Sequence, residues 1–197
     1  MTNGVKSGII KTGGRKSSVK IGDTDGMTKI TGIKPIDFSD KTAIEKEIND
    51  FAEKHAYAEV EHALEISPTG NVYTLKGIKG NVNSEILDKD ILRGGVSIHN
   101  HVVPNGGNMG DSFSKQDLGF AAEYKPKKQY LVSGERRNAF KYIGDKNASE
   151  IYSIYDKAYN KLLEKSLDGE IEIIWENEQT LKILSELLEG FKFYENF

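Results

Sequence analysis

The sequence predicts an α/β fold, a mixed β-sheet flanked by helices on both sides. Apolar residues recur at helical spacing in two segments, at Ile44, Ile48, Phe51 and His55, and at Ile151, Ile154, Tyr155, Ala158 and Leu162. Short β-branched or alternating runs, such as Val60 to Ile66, Val96 to Ile98 and Gln129 to Ser133, read as strands. Helical and strand-like segments alternate along the chain, which is the order that builds a sheet with helices on both faces.

Residues 1 to 35 are rich in Gly, Lys, Ser and Thr and read as a flexible N-terminal arm. Its Gly13-Gly14-Arg15-Lys16-Ser17 run lacks the spacing of a phosphate-binding loop. Asp40 to His55 is the first helix, capped by Ser39 or Asp40, and His55 on its inward stripe reads as a packing residue. Val60 to Ile66 is a strand, turned by Ser67-Pro68-Thr69-Gly70 into a second one over Asn71 to Leu75. Alternation puts Glu59, Glu61, Ala63 and Glu65 on one face of the first strand and Val60, His62, Leu64 and Ile66 on the other.

Ser84 to Leu92 reads as a short helix or turn ending at the Gly94-Gly95 break, after which the strand Val96 to Ile98 begins. Val102 to Asp111 is a Gly- and Asn-rich loop, and Ser114 to Tyr124 a helix stopped before Lys125-Pro126. Gln129 to Ser133 and Ala139 to Ile143 form a strand pair around Gly134 to Asn138. Ala148 to Lys165 is a strongly amphipathic helix ended by Asp168-Gly169, followed by a strand-like Glu170 to Trp175 and a last helix over Gln179 to Leu188.

The 197 residues suffice for one compact domain with a proper core. A formal net charge of -3 argues against bulk electrostatic binding to nucleic acid. With no cysteine, metal ligands must be His, Asp or Glu, and a reducing compartment, the cytoplasm, is the expected location. No apolar run is long enough for a membrane span, and the start lacks the apolar core of a secretory signal.

His99 and His101 sit two apart at the end of a strand, so both imidazoles share one face. Ser114 and Asp117 are three apart at a helix start and also share a face. Ser-x-x-Asp opening a helix is also a capping arrangement. Two imidazoles and one carboxylate around a cation leave a fourth corner for water, which is how catalytic zinc is usually held.

The order Glu61, then His99-Asn100-His101, then Ser114-Lys115-Gln116-Asp117 resembles the signature of the JAMM (MPN-type) zinc metalloproteases, a distant Glu followed by His-x-His and Ser-x-x-Asp. The surroundings of Ser114 and Asp117 are similar to JAMM-like domains of phage head-morphogenesis and toxin-type proteins. The resemblance covers roughly residues 58 to 143. It implies a JAMM/cytidine-deaminase-like version of the fold, with a metal-binding core over 36–145 and a C-terminal helical extension, 146–197, packed on it. It also implies Zn2+ held by His99, His101 and Asp117, with Glu61 as general base and Ser114 as oxyanion donor. Glu59 and Glu65 compete with Glu61 for the base, and Asp111 is a fallback for Asp117.

The activity so implied is hydrolysis of a peptide or isopeptide bond by metal-activated water. The partner is then a protein or peptide substrate, or a component of a phage or toxin system, with neither membrane nor nucleic acid. Three alternatives stand beside it. One is a non-catalytic JAMM-like binding or assembly module. A second is a metal-dependent nuclease, although in the HNH class the three residues are spread over a ββα unit rather than adjacent. The third is a two-His-one-carboxylate iron oxygenase, which the helix-rich pattern does not favour.

Overall fold

In a computed structural model, residues 19–103, 113–169 and 190–195 are described. Along the chain they form β1 (Lys29–Pro35), α1 (Lys41–His55), β2 (His62–Ile66), β3 (Asn71–Lys76), a 3-10 turn (Ser84–Ile86), α2 (Lys89–Leu92), β4 (Val96–Asn100), α3 (Lys115–Tyr124), β5 (Lys128–Ser133), β6 (Arg136–Tyr142), α4 (Ala148–Leu167) and β7 (Phe191–Glu195). The strands make one seven-stranded mixed sheet in the order β1-β3-β2-β4-β5-β6-β7. β4 lies at its centre, antiparallel to β2 and parallel to β5, and all five of its residues are buried. The expected α/β architecture with helices on both faces is what the chain adopts.

Alternation along β4 divides the protein into two sides. Val96 and Ile98 face α1, where they join Ile48, Phe51, Leu64, Ile66 and Val132 in one apolar cluster. Asp40 starts α1, its carboxylate accepting from the backbone N–H groups of Thr42 and Ala43. His55 and His62 stack on this side with ring centroids 4.0 Å apart. Burial, with His62 and Lys54 nearby, pushes His55 down to about 4, so the stack is neutral at ordinary pH.

The opposite face carries α2, α3 and α4. Leu118, Ala121 and Ile151 pack on Leu131, Phe140 and Tyr142, while Ile91, Leu92 and Tyr124 pack on Ala63, Tyr73 and Leu75. Ser97 and His99 point to this side.

Three expectations are corrected. The arm read over residues 1–35 is folded from Val19 onward; residues 1–18 lie outside the described part. Asp25 accepts from the backbone N–H groups of Met27 and Thr28 and from Asn83, and Lys29–Pro35 then adds β1 to the edge of β3. Glycine and lysine masked this strand: Gly32 leaves room for the Thr74 hydroxyl, which a Cβ there would meet at 2.5 Å, and lysines and a proline suit an unpaired edge. The turn read over Gly134 to Asn138 is only Gly134-Glu135, since Gly134 takes a positive φ of 58° and lets β6 begin at Arg136. The C-terminal extension is not only helical, because β7 pairs with β6 and completes the sheet. The strand and helix read between 170 and 188 lie outside the described residues, as do residues 104–112 of the loop after His101.

Gly94 and Gly95 set the entry to β4. Gly94 has a φ of 71°, and a Cβ on Gly95 would lie 2.4 Å from the Ile66 carbonyl oxygen. Gly95→Ala is therefore expected to lower stability by about 1–3 kcal/mol through overpacking at the β2–β4 ladder. A urea unfolding midpoint unchanged from wild type would contradict that steric account.

Candidate metal centre

His99 is placed by the sheet. Its register partners are Ala63 on β2 and Leu131 on β5, so its ring rises from the middle of the helical face beside a small neighbour. His101 lies just past the strand, and its backbone N–H donates to Val132 O at 3.0 Å. Asn100, on the α1 side, accepts the His62 N–H and donates to Val60 O, which closes the β2–β4 ladder below the histidines.

Asp117 is placed by the start of α3. The Ser114 backbone N–H and hydroxyl both donate to Asp117 Oδ2, at 2.7 and 2.8 Å, and the Asp117 N–H returns a bond to Ser114 Oγ. This is a capping box. Phe113 before the cap and Leu118 after it are buried in one cluster, fixing the helix entry as a hydrophobic staple does. Phe113 also meets the His99 ring edge-on, with centroids 6.3 Å apart.

The three side chains converge. His99 Nε2 and His101 Nε2 are 3.1 Å apart, His99 Nε2 and Asp117 Oδ1 3.3 Å, and His101 Nε2 and Asp117 Oδ2 3.8 Å. The edge of a tetrahedral zinc site with bonds of 2.0–2.1 Å is about 3.3 Å, so these donors have the spacing and the chemistry for one metal ion. Among the described residues, this is the group of three His, Asp or Glu side chains close enough to hold a cation. Gln129 Nε2 approaches Asp117 Oδ1 at 3.4 Å from the strand below.

The donors open on a cleft of about 1200 Å³ between the sheet, α3, the 79–85 segment and Tyr152 of α4. Glu61 is buried in its wall, and burial pushes its carboxyl up to about 7. The His99 charge and the Val82 backbone N–H pull it down, and the Asp117 charge lifts it. Glu65 is also in the wall, buried and raised to about 7 against the hydroxyls of Ser84 and Ser97. Glu59 is exposed. Asp111 lies outside the described residues.

Burial disfavours the Asp117 charge, but His99, His101 and the Ser114 hydroxyl outweigh it and hold the carboxyl far below the usual carboxylate range. Burial likewise works against a charged His99, yet Asp117, Glu61 and Glu65 raise it above its ordinary value. The Ser114 hydroxyl spends its proton on Asp117 Oδ2, so what it does here is orient that carboxylate. Sequence reasoning gave no role to Ser84, Ser97 or Gln129. The signal for Ser97 was its alternation with His99, which puts both on one face.

Comparisons with family models, with curated proteins and with solved structures find no match to this chain.

Two outcomes test this geometry. Ser114→Ala is expected to weaken zinc binding by about 10–100-fold, measured against a competing chelator, because Asp117 loses its orienting bond. Unchanged affinity would contradict the coupling between cap and ligand. The second concerns metal-free protein. His99, with its folded pKa raised, contributes stability that is present below its unfolded value and is lost as pH rises through the folded one. Glu61 and Glu65, raised to about 7, give up their remaining protons over the same range and add to the loss. The melting temperature in chelator should therefore fall as pH rises from about 6.5 through 7, the two carboxyls and His99 outweighing the opposite contribution of His55 and His62, whose values are lowered. Zinc binding, which needs neutral imidazoles, should restore more of it at the upper end. A melting temperature that rises over that span would refute the assignment of charges.

Proposed function

We propose that the chain is a zinc-dependent hydrolase of JAMM type, cleaving a peptide or isopeptide bond. The observation that carries this reading is the convergence of His99, His101 and Asp117 within 4.8 Å of one another at the wall of an open cleft. The order in which Glu61, His99, His101, Ser114 and Asp117 occur, and their meeting at one cleft, supports the JAMM-type assignment over the binding-module and nuclease readings. Two imidazoles and one carboxylate favour zinc over harder cations, which prefer all-oxygen shells.

Bound zinc supplies a Lewis acid and a water that ionises near neutrality. The chain supplies the rest. His99, His101 and Asp117 Oδ1 would hold the ion at the wall of the cleft. Glu61 faces the same space, on the strand face it shares with Ala63 and Glu65, and close enough for the charges of His99 and Asp117 to act on it. Its carboxylate takes the proton of the attacking water and delivers it to the departing amine. Burial has moved its pKa into the range where both transfers are feasible at neutral pH. Ser114 keeps Asp117 in place through its backbone N–H, which frees its hydroxyl, once turned from Asp117 toward the cleft, to donate to the developing oxyanion. A protein or peptide segment is the substrate of this scheme, and the cytoplasm its proposed location. Among the described residues, no helix is long and apolar enough to cross a membrane.

Glu61→Gln is expected to keep one zinc per chain while peptide hydrolysis falls by about 10²–10⁴-fold. His99→Ala and Asp117→Ala are each expected to lose most of the metal. Elemental analysis beside a fluorogenic peptide assay reads both, and wild-type zinc in Asp117→Ala would sink the ligand set. Zinc bound by a wild type that turns over no peptide would favour the assembly-module reading instead.

A further inference from the structure

Below the metal-binding residues, the sheet carries a second polar row. Glu65 on β2 is the register partner of Ser97 on β4, and Ser97 that of Gln129 on β5. All three side chains line the cleft, one pleat before the row of Ala63, His99 and Leu131. Strand residues advance about 3.3 Å each, so the two rows are about 7 Å apart.

The hydrogen bonds within this lower row leave it one-sided. Ser84 and Ser97 both donate their hydroxyls to Glu65 Oε1, at 2.6 and 2.9 Å. Glu65 Oε2 takes neither. Gln129 turns its Nε2 toward Asp117, and its Oε1 is buried with no hydrogen-bond partner. Glu65 is 3% exposed and Gln129 2%, so both stand deep in the cleft rather than at its mouth. The hydroxyl and amide protons named above are committed, and the acceptors they leave in the row are the second oxygen of Glu65 and the amide oxygen of Gln129. A buried acceptor left unpartnered, as Gln129 Oε1 is, costs free energy unless a donor reaches it.

We infer that this row is a subsite for a cationic nitrogen donor of the substrate, an ammonium or guanidinium group. Such a group offers several protons to acceptors on two neighbouring strands and brings the positive charge that a buried carboxylate lacks. At about 7 Å from the metal row, it suits the side chain of a residue close to the scissile bond in an extended segment. Substrates with a lysine or arginine there would bind and be cut in preference to those with neutral residues. As a substrate site, the row rests on the hydrolase reading above; as a cation site, it stands on its own geometry.

The test uses the whole chain, with and without zinc, and three probes: n-butylammonium, ethylguanidinium and, as the neutral control, 1-butanol. Nuclear magnetic resonance titration follows the Gln129 side-chain NH2 and the Ser97 amide. Saturable shifts with one or both cations and not with butanol are expected, the stronger of the two identifying lysine or arginine as the preferred residue. Glu65→Gln should weaken cation binding by about tenfold, as for a hydrogen bond to a charged group. If Glu65→Gln does not fold, Gln129→Met reads the same loss from the other acceptor. Zinc-loaded protein that treats all three probes alike overturns the subsite and leaves the hydrolase reading intact. Cation-selective shifts in a protein that binds no zinc keep the cation site and remove the hydrolase reading.

Discussion

One carboxylate does two jobs at the candidate metal centre. Asp117 Oδ2 receives the backbone N–H and the hydroxyl of Ser114 and so closes the first turn of α3. Its Oδ1 faces the imidazole of His99. Neither job can be altered without the other, because the group that satisfies the orphan donors at a helix start also completes a set of side chains close enough to hold a cation. The arrangement draws its rigidity from beneath, where Phe113 packs on Phe140 with ring centroids 4.4 Å apart and anchors the helix entry to the sheet. The acid is therefore held from both sides of the cap, and its charge is stabilised before any ion arrives.

The sheet provides the complementary order. Alternation along β4 sends Val96 and Ile98 to α1 and keeps Ser97 and His99 for the cleft. The same rule applied from Glu61 along β2 gives the cleft Glu61 and Glu65, with Ala63 buried between them on that side, and sends Leu64 and Ile66 to the opposite cluster. Polar residues fill one side of the central strands because that side is open, and apolar ones fill the other because it is closed by a helix. His55 and His62 illustrate the boundary: they stack with each other on the α1 side, and the sheet itself separates them from the metal centre.

Much of this was legible in the residues. Period-two spacing paired the histidines, period-3.6 spacing found α1 and α4, and Ser-x-x-Asp marked the start of α3. Its two readings, cap and ligand, turned out to be compatible rather than competing. Less was visible where a residue's meaning depends on a distant strand. β1 was hidden because Lys29–Pro35 mixes apolar residues with glycine and lysine, as edge strands do. β7 does alternate, Phe191 and Phe193 joining the α3–α4 side, but its place next to β6 is a long-range pairing that no local pattern announces. The role of Gln129 was likewise invisible, since only the register across β4 and β5 sets it beside Ser97 and under Asp117.

Among the described strands, β4 and β5 are the one parallel pair, and every other pairing is antiparallel. A parallel pair needs a crossover, and here the crossover is α3, which carries the acid. Antiparallel hairpins such as β2–β3 and β5–β6 can zip locally during refolding, whereas this connection must first close a long loop. Until it docks, the two imidazoles lack the Asp117 carboxylate, so tight capture of an ion would report the moment at which the crossover between the central strands has closed.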